Sequence, residues 1–295
     1  MHYRVIHKTE YDYSEAVALS YNEARLLPRF TAHQYCHATG LVIEPWPADY
    51  REHEDFFGNR VAYFSIREPH QRFVVTATSE VQVIAQEAQL NFSQGTDWES
   101  VCRSLRQQRD PQTLAALQYA LDSPFVAANA ELAAYAQASF PPGRPLLEAV
   151  HDLMGRIHAD FTYDPDFTTL ATPLVTVLAH RRGVCQDFAH LAIGCLRAHG
   201  LAARYVSGYI ETLPPTGKEK LIGADASHAW FSVYVPELGW MDFDPTNNQI
   251  PVDQHIVVGW GRDYGDVTPL KGVIFGGGEH ELKVSVDVRN LGGSV

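Results

Sequence analysis

The first third of the chain is dominated by short runs in which apolar and β-branched residues recur at alternate positions. Alternation of this kind is typical of half-buried strands. The positions that carry the pattern are Tyr3, Val5 and residues 11–13, 40–43, 59–66 and 73–84. Phe57-Gly58-Asn59 supplies a turn between two of the runs, and no segment has helical periodicity over a helix length. The pattern predicts an N-terminal β-rich domain over residues 1–86.

Beyond residue 86 the pattern changes to longer stretches rich in Ala and Leu, which predict helices. The predicted helices are 110–121, 123–138 with Ser123-Pro124 as a capped start, 145–160, 174–182 and 185–199. Gly183 separates the last two, and Gly200 ends the second because glycine is the favoured residue just past a helix. We expect residues 87–149 to form a helical connecting segment.

Strand patterns return after the last helix, at residues 203–212, 229–235, 240–244 and 281–289. The final run alternates most clearly, with Leu282, Val284, Val286 and Val288 between polar residues, and predicts a strand half buried in a sheet. Helices followed by consecutive strands are typical of an α+β fold with an antiparallel sheet. We assign 150–250 to the core of the protein and 251–295 to a strand-containing tail packed on the body.

Composition and charge exclude several classes of protein. The 295 residues are 45% hydrophobic and carry a net charge of −12, which is typical of a globular protein that does not bind nucleic acid or an anionic membrane surface. No apolar stretch reaches a membrane-spanning length, and the first twenty residues lack the layout of a signal peptide, so we expect a cytoplasmic location. The pattern of four cysteines and fourteen histidines predicts neither a metal site nor a disulfide framework, and we expect no cofactor.

Cys185 is the strongest candidate for chemistry, because it follows Gly183 at the start of a predicted helix. The positive end of the helix dipole and a nearby imidazole can lower a thiol pKa from about 8.5 to roughly 3.5–7.5. The alternative is inert packing, since free cysteine is among the most buried residue types. Cys195 and His190 lie on other sides of the same helix, so we assign them to the core.

A base for Cys185 must therefore come from another element, and His228 begins a predicted strand. The next strand carries two carboxylates, Asp242 and Asp244, and Asp225 is a weaker third choice. In an antiparallel pair, opposed residues share one face, so these carboxylates join the face of His228 only if paired residue numbers have an even sum. A four-residue loop gives an odd sum. We therefore predict a three- or five-residue connection or a bulge, and prefer Asp244 because Pro245 ends the strand there.

Four segments together resemble the transglutaminase-like superfamily, which is related to papain. They are RGVCQDFA at 182–189, GLAARYVSGY at 200–209, HAW at 228–230 and DPT at 244–246. The N-terminal strands and residues 261–267 also resemble the bacterial branch of this group. The resemblance implies a papain-like core preceded by an N-terminal β domain, with Cys185 as nucleophile, His228 as general base and Asp244 as the orienting carboxylate.

The resemblance further implies a thioester intermediate whose oxyanion is held by the Cys185 backbone N–H and one more donor. Tyr163 is the candidate for that donor, and core packing is the alternative. Gln186 stands where animal transglutaminases have tryptophan, and is a candidate substrate contact. Trp230 shares the face of His228 by alternation and is a candidate wall of the cleft, with core packing again the alternative. No acidic cluster resembles a calcium loop, so calcium activation is not expected.

The sequence thus predicts a cysteine-dependent amide-bond enzyme that hydrolyses a peptide, an isopeptide or a side-chain amide in a peptide or protein substrate. Transfer of the acyl group to an amine is the first alternative, because the same triad serves both reactions. A non-catalytic scaffold or binding module is the second alternative, although such a module has no need of Cys185, His228 and Asp244 together. Neither the substrate nor the oligomeric state can be derived from the sequence.

Overall fold

The computed structural model describes residues 1–85, 91–211, 227–236 and 238–292. The predicted domain boundary at Gln86, the strand end at residue 212 and the third-choice carboxylate Asp225 lie outside these residues. The described chain combines antiparallel sheets with a central group of helices, so the predicted α+β class is confirmed. Among the described residues, no helix is long and apolar enough to cross a membrane.

Thirteen strands and six α-helices are present in the described part of the chain. The strands are β1 (His2–Ala24), β2 (Gln34–Glu44), β3 (Asp49–Glu54), β4 (Arg60–Ile66), β5 (His70–Val83), β6 (Thr162–Tyr163), β7 (Arg182–Gly183), β8 (Ala203–Ile210), β9 (Ser227–Val235), β10 (Gly239–Phe243), β11 (His255–Gly261), β12 (Leu270–Gly276) and β13 (His280–Asn290). The helices are α1 (Trp98–Gln107), α2 (Pro111–Leu117), α3 (Ala130–Ala136), α4 (Leu146–Asp160), α5 (Leu174–His180) and α6 (Cys185–Ala198).

The N-terminal domain is a seven-stranded sheet built around β1. The strand order is β2-β5-β1-β4-β3, and β12 and β13 also pair with β1. One half of β1 pairs with β5 and β13, and the other half pairs with β4 and β12. The last two strands, β12 and β13, therefore complete the sheet that the first residues begin, whereas β11 of the same predicted tail joins the core sheet.

The core sheet has the order β10-β9-β8-β11, and α6 packs on one of its faces. Apolar residues of α6 form one cluster with Tyr205, Phe231 and Val233 of this sheet. A second cluster joins the two sheets, because Tyr3 and Val81 of the N-terminal sheet pack against residues of β8 and β11. The strand β9 lies in the middle of the core sheet, and its residues are buried on both faces.

Two sequence predictions need correction. The segment 123–138 is helical only at Ala130–Ala136, because the side chain of Asn129 caps this helix and residues 123–126 form a turn instead. In β13, Val286 and Val288 are buried, but Leu282 and Val284 are half exposed. The N-terminal sheet covers the core sheet only along part of its length, so alternation alone overstates how much of this strand is buried.

Candidate active site

The first turn of α6 is fixed by a side chain of the helix itself. Oδ2 of Asp187 accepts hydrogen bonds from the Val184 backbone N–H at 2.8 Å and from Oγ1 of Thr168 at 2.7 Å. Gly183 is required here, because a Cβ at this position would lie 2.8 Å from the same carboxylate oxygen. These contacts hold Cys185 as the first residue of the helix, only partly buried, where the positive end of the helix dipole acts on its thiol.

His228 and Asp244 are brought together by the hairpin of β9 and β10. Trp240 pairs with Tyr234 and Asp242 with Ser232, so the sums of paired residue numbers are even, and only three residues separate the last paired residue of β9, Val235, from the first of β10, Gly239. The prediction that the carboxylates share the face of His228 is therefore confirmed. Nε2 of His228 lies 2.8 Å from Oδ2 of Asp244, which leaves Nδ1 as the ring nitrogen available to a second partner.

Asp244 is fully buried and accepts more hydrogen bonds than a triad requires. Its Oδ1 accepts from the backbone N–H groups of Thr246 and Asn247, at 3.0 and 3.2 Å. Its Oδ2 accepts from Nδ2 of Asn247 at 2.7 Å and from Nε2 of His255 at 3.0 Å, in addition to His228. This carboxylate is therefore held rigidly in the orientation that fixes the imidazole ring.

The electrostatics favour a charged imidazole beside the thiol. Burial alone would lower the pKa of His228, but hydrogen bonds with Asp244 and Cys185 and the negative charge on both outweigh it and raise this pKa to about 10. Burial would likewise raise the pKa of Asp244, but the hydrogen bonds from His228 and His255 hold it well below its usual range. The arrangement can therefore keep His228 as an imidazolium between the Asp244 carboxylate and the Cys185 side chain at neutral pH.

The remaining candidates occupy different positions around this group. Tyr163 pairs with Gly183 in the short β6–β7 ladder and is 54% exposed, so it is not a core residue. Burial raises its pKa, and the charge of the nearby Cys185 adds to this shift. Gln186 is partly buried and lines a cavity of about 290 Å³ together with Val184 and Thr168.

Trp230 is fully buried and packs beside both His228 and His255. Its ring centroid is 6.0 Å from that of His228 and 5.0 Å from that of His255. This position favours the packing alternative, because a side chain without exposed surface supports the His228 ring instead of contacting a substrate. The other strand carboxylate, Asp242, accepts a hydrogen bond from Oγ of Ser232 and does not bond to His228.

The other three cysteines are free thiols in poorly reactive surroundings. Burial raises the pKa of Cys36 and Cys102 to about 11 and that of Cys195 to about 12. The prediction that Cys195 belongs to the core is confirmed, since this residue has no exposed surface. A thiolate at neutral pH is therefore not expected at any of the three.

Within the described residues, donor atoms of His228, Asp244 and His255 lie within 4.8 Å of one another, close enough to hold a metal ion. The same atoms are hydrogen-bonded to each other. A metal would have to replace the bonds that orient His228, so the arrangement fits a hydrogen-bonded triad better than a metal centre.

Sequence reasoning missed three residues that position the triad: Asp187, Asn247 and His255. Asp187 is the third helical residue, where an acidic side chain commonly reaches back to the backbone before the helix, so the capping pattern could have indicated it. Asn247 follows Asp244 by three residues, and a turn after Pro245 brings it back. No local pattern marks His255, because the sheet pairing of β11 with β8 brings it to Asp244.

Comparison with known proteins matches both halves of the chain to family models. The bacterial transglutaminase-like N-terminal region matches residues 3–82, and the transglutaminase-like superfamily matches residues 133–245. An uncharacterised protein of Mycobacterium tuberculosis is 45% identical over 293 residues, which cover 97% of this chain and 92% of the relative. A protein-glutamine gamma-glutamyltransferase of Pseudomonas aeruginosa is 30% identical over 128 residues, which cover 37% of this chain and 19% of that enzyme.

The fold is shared with a solved structure from Cytophaga hutchinsonii, described as a candidate cysteine protease. The two chains superpose with a TM-score of 0.77 at 20% identity, over 100% of this chain and 92% of the other. The fold expected from the sequence, a papain-like core preceded by an N-terminal β domain, is confirmed. The family matches, the full-length relative and the shared fold lead to one conclusion: the chain belongs to the transglutaminase-like superfamily.

Proposed function

We propose that this protein is a cysteine-dependent amide-bond enzyme in which Cys185, His228 and Asp244 form the catalytic triad. The observation that carries the proposal is that the His228–Asp244 hydrogen bond lies beside Cys185 at the start of α6, close enough for Cys185 to help raise the pKa of His228. The expected substrate is an amide in a peptide or protein, either in the backbone, in an isopeptide or in a side chain. The cytoplasmic location expected from the sequence stays a prediction.

The chemistry follows from the protonation states that the surroundings favour. The Cys185 thiolate attacks the amide carbonyl carbon, and the backbone N–H of Cys185 and the hydroxyl of Tyr163 stabilise the oxyanion. The His228 imidazolium then protonates the departing nitrogen, so that ammonia or an amine leaves and a thioester remains. Asp244 keeps the ring oriented and stabilises its positive charge through both steps. A water molecule, deprotonated by His228, releases the acid.

Acyl transfer to an amine is the second candidate. It is supported by the similarity of part of this chain to the Pseudomonas aeruginosa protein-glutamine gamma-glutamyltransferase. The two reactions differ only in whether water or an amine attacks the thioester, and the pocket around it decides between them. We favour hydrolysis, because nothing in the sequence identifies a site for the amine.

The test uses a glutamine-containing peptide library and a fluorescent primary amine with the full-length protein. Ammonia and new amino termini are measured for hydrolysis, and incorporation of the amine is measured for transfer. Cys185→Ser is compared with Cys102→Ser as the control, because Cys102 is a buried thiol that donates a hydrogen bond to the His199 carbonyl oxygen and not to a residue of the triad. We expect turnover only in the wild type and in Cys102→Ser.

Four outcomes separate the alternatives. Product that requires Cys185 but no amine supports hydrolysis, and amine incorporation that requires Cys185 supports transfer. Turnover that survives Cys185→Ser contradicts the assigned nucleophile. If the folded wild type forms no covalent adduct with a peptide carrying a thiol-reactive amide mimic, the enzyme proposal fails and the scaffold alternative replaces it.

A further inference from the structure

A cavity of about 350 Å³ lies between the N-terminal domain and the core sheet. Residues from 31 to 34 and Val83 line it from the N-terminal side, and strands β8, β10 and β11 line it from the core side. His255 is part of its wall, so the cavity adjoins the residues around Asp244. Its volume falls within the range of small-molecule sites, which is about 300–1,000 Å³.

Arg204 is the only arginine among the described residues that line this cavity, and its surroundings are unusual for a cation. The side chain projects from β8, and the residue is 8% exposed. Its guanidinium carbon lies 4.4 Å from the ring centroid of Trp240 and 3.8 Å from that of Trp260. The two indoles therefore occupy the flat faces of the guanidinium, where cation–π attraction stabilises it, and leave only its edge open.

The edge of the Arg204 guanidinium has few hydrogen-bond partners among the described residues. Nε donates to Oγ of Ser232 at 3.3 Å, and in the described part of the chain neither terminal nitrogen has a hydrogen-bond acceptor or a carboxylate at ion-pair distance. Asp242 accepts a hydrogen bond from the Ser232 hydroxyl and acts on Arg204 through its charge, without a direct hydrogen bond to it. Buried cations normally have paired donors, so the terminal N–H groups of Arg204, which have no acceptor among the described residues, are available to an acceptor that enters the cavity.

We propose that this cavity binds a small organic carboxylate, whose two oxygens accept hydrogen bonds from the terminal nitrogens of Arg204. A guanidinium presents its donors as a fork that matches a carboxylate in one plane. The slot between Trp240 and Trp260 suits a flat group, whereas a tetrahedral phosphate would place two of its oxygens outside the plane of the guanidinium. The apolar side chains of Val83, Ile250 and Val257 line the same cavity and fit a hydrophobic body on the ligand.

The probe is benzoate, with benzamide as a neutral molecule of nearly the same shape and inorganic phosphate as a tetrahedral anion. Binding to the full-length protein is followed by tryptophan fluorescence and by saturation-transfer NMR of the probe. We expect saturable binding of benzoate, about tenfold or more weaker binding of benzamide because it lacks the charge, and no competition from phosphate. Cys185→Ala is expected to bind benzoate like the wild type, so the result does not depend on the proposed enzyme activity.

Two variants should change the affinity for benzoate in opposite directions. Arg204→Met removes the fork while keeping a side chain between the indoles, and should abolish benzoate binding. Asp242→Asn removes a negative charge from the cavity wall, and should tighten binding a few-fold in a protein that keeps all of the Arg204 contacts. If Arg204→Met does not fold, the proposal is tested by benzoate binding to Asp242→Asn and by the comparison of benzamide with benzoate. No saturation with benzoate up to about 20 mM, equal binding of benzamide, or unchanged binding in folded Arg204→Met would overturn the proposal.

Discussion

The two sheets of this protein differ in how much apolar surface they expose and in the role of their buried polar groups. The N-terminal sheet exposes large apolar side chains, including Val273 and Phe275 of β12 and Leu282 of β13. Both sheets bury polar groups, but those of the core sheet surround the candidate active site, where His228, Ser232 and Asp244 are at most 8% exposed. Each of these three buried side chains has hydrogen-bond partners.

This difference affects how strongly the stability of each sheet depends on single side chains. Exposed apolar residues cost little singly, because much of any protein surface is apolar. Buried polar groups are stable only when they are paired, so the core sheet must keep its bonding network complete. The core sheet should therefore respond far more strongly to small substitutions than the N-terminal sheet does, in activity and in stability.

The largest effect is expected from Asp244→Asn, compared with Asp242→Asn on the same face of the same hairpin. Loss of the carboxylate removes the partner that orients and charges His228, so kcat/KM should fall by about 10²–10⁴, as for other triads. Because Asp244 helps to raise the pKa of His228, the alkaline limb of the pH profile should move to lower pH.

Asp242→Asn should change kcat/KM less than about tenfold, since Asp242 bonds to Ser232 and not to His228. Steady-state rates over a pH series, with urea midpoints to show that both variants are folded, provide the measurement. Equal losses in the two variants would mean that Asp244 has no special role.

The second effect compares two strand glycines. A Cβ at Gly208, opposite His228 in the core sheet, would lie 2.0 Å from the Ile256 carbonyl oxygen and 2.6 Å from the Trp230 ring. A Cβ at Gly40, in the N-terminal sheet, would meet nothing within 4 Å. We expect Gly208→Ala to lower the free energy of unfolding by about 3 kcal/mol or more, and Gly40→Ala to change it by no more than about 0.5 kcal/mol.

Urea denaturation of both variants tests this pair, with the slope of the transition checked for a change in the denatured state. A Gly208→Ala protein as stable as Gly40→Ala would show that the core sheet can repack around His228, which contradicts the comparison.

Much of this site could be predicted from the sequence, and the part that could not has a physical reason. The parity of the hairpin places Asp244 on the face of His228, because β-pairing has a strict period of two. His255 and Arg204 could not be placed in this way, since their partners come from strands distant in sequence and from the approach of two domains. The same limit explains β13, where alternation predicted burial that the neighbouring domain supplies only to Val286 and Val288.

The third effect concerns the thiols. Iodoacetamide at about pH 6 should label Cys185 at least about tenfold faster than the other three cysteines, whose pKa values are raised by burial. In His228→Ala the imidazolium is absent, so labelling of Cys185 at pH 6 should fall and return near pH 9, where a thiol ionises without help. Peptide mapping by mass spectrometry gives the rate at each cysteine. If His228→Ala leaves the labelling at pH 6 unchanged, His228 does not promote the reactivity of Cys185 and the proposed pairing is contradicted.

The smallest effect is expected within β13, because one part of this strand packs against the core sheet and another part does not. Val284 and Val286 stand on the same face of β13, but Val284 is 52% exposed whereas Val286 is 1% exposed and packs in the cluster that joins the sheets. Val286→Ala removes two buried methyl groups and leaves a cavity, so the free energy of unfolding should fall by about 2 kcal/mol. Val284→Ala should change it by about 0.5 kcal/mol or less.

Both substitutions remove the same atoms and lower β-propensity equally, so their difference isolates burial between the two sheets. Urea midpoints measured with a common slope give this difference directly. Equal losses would mean that the residues of β13 contribute through strand propensity alone and that the contact between the sheets adds no stability. A loss confined to Val286 would assign the stabilising contact to the part of β13 that packs against β8 and β11, and leave the rest of the strand free to vary.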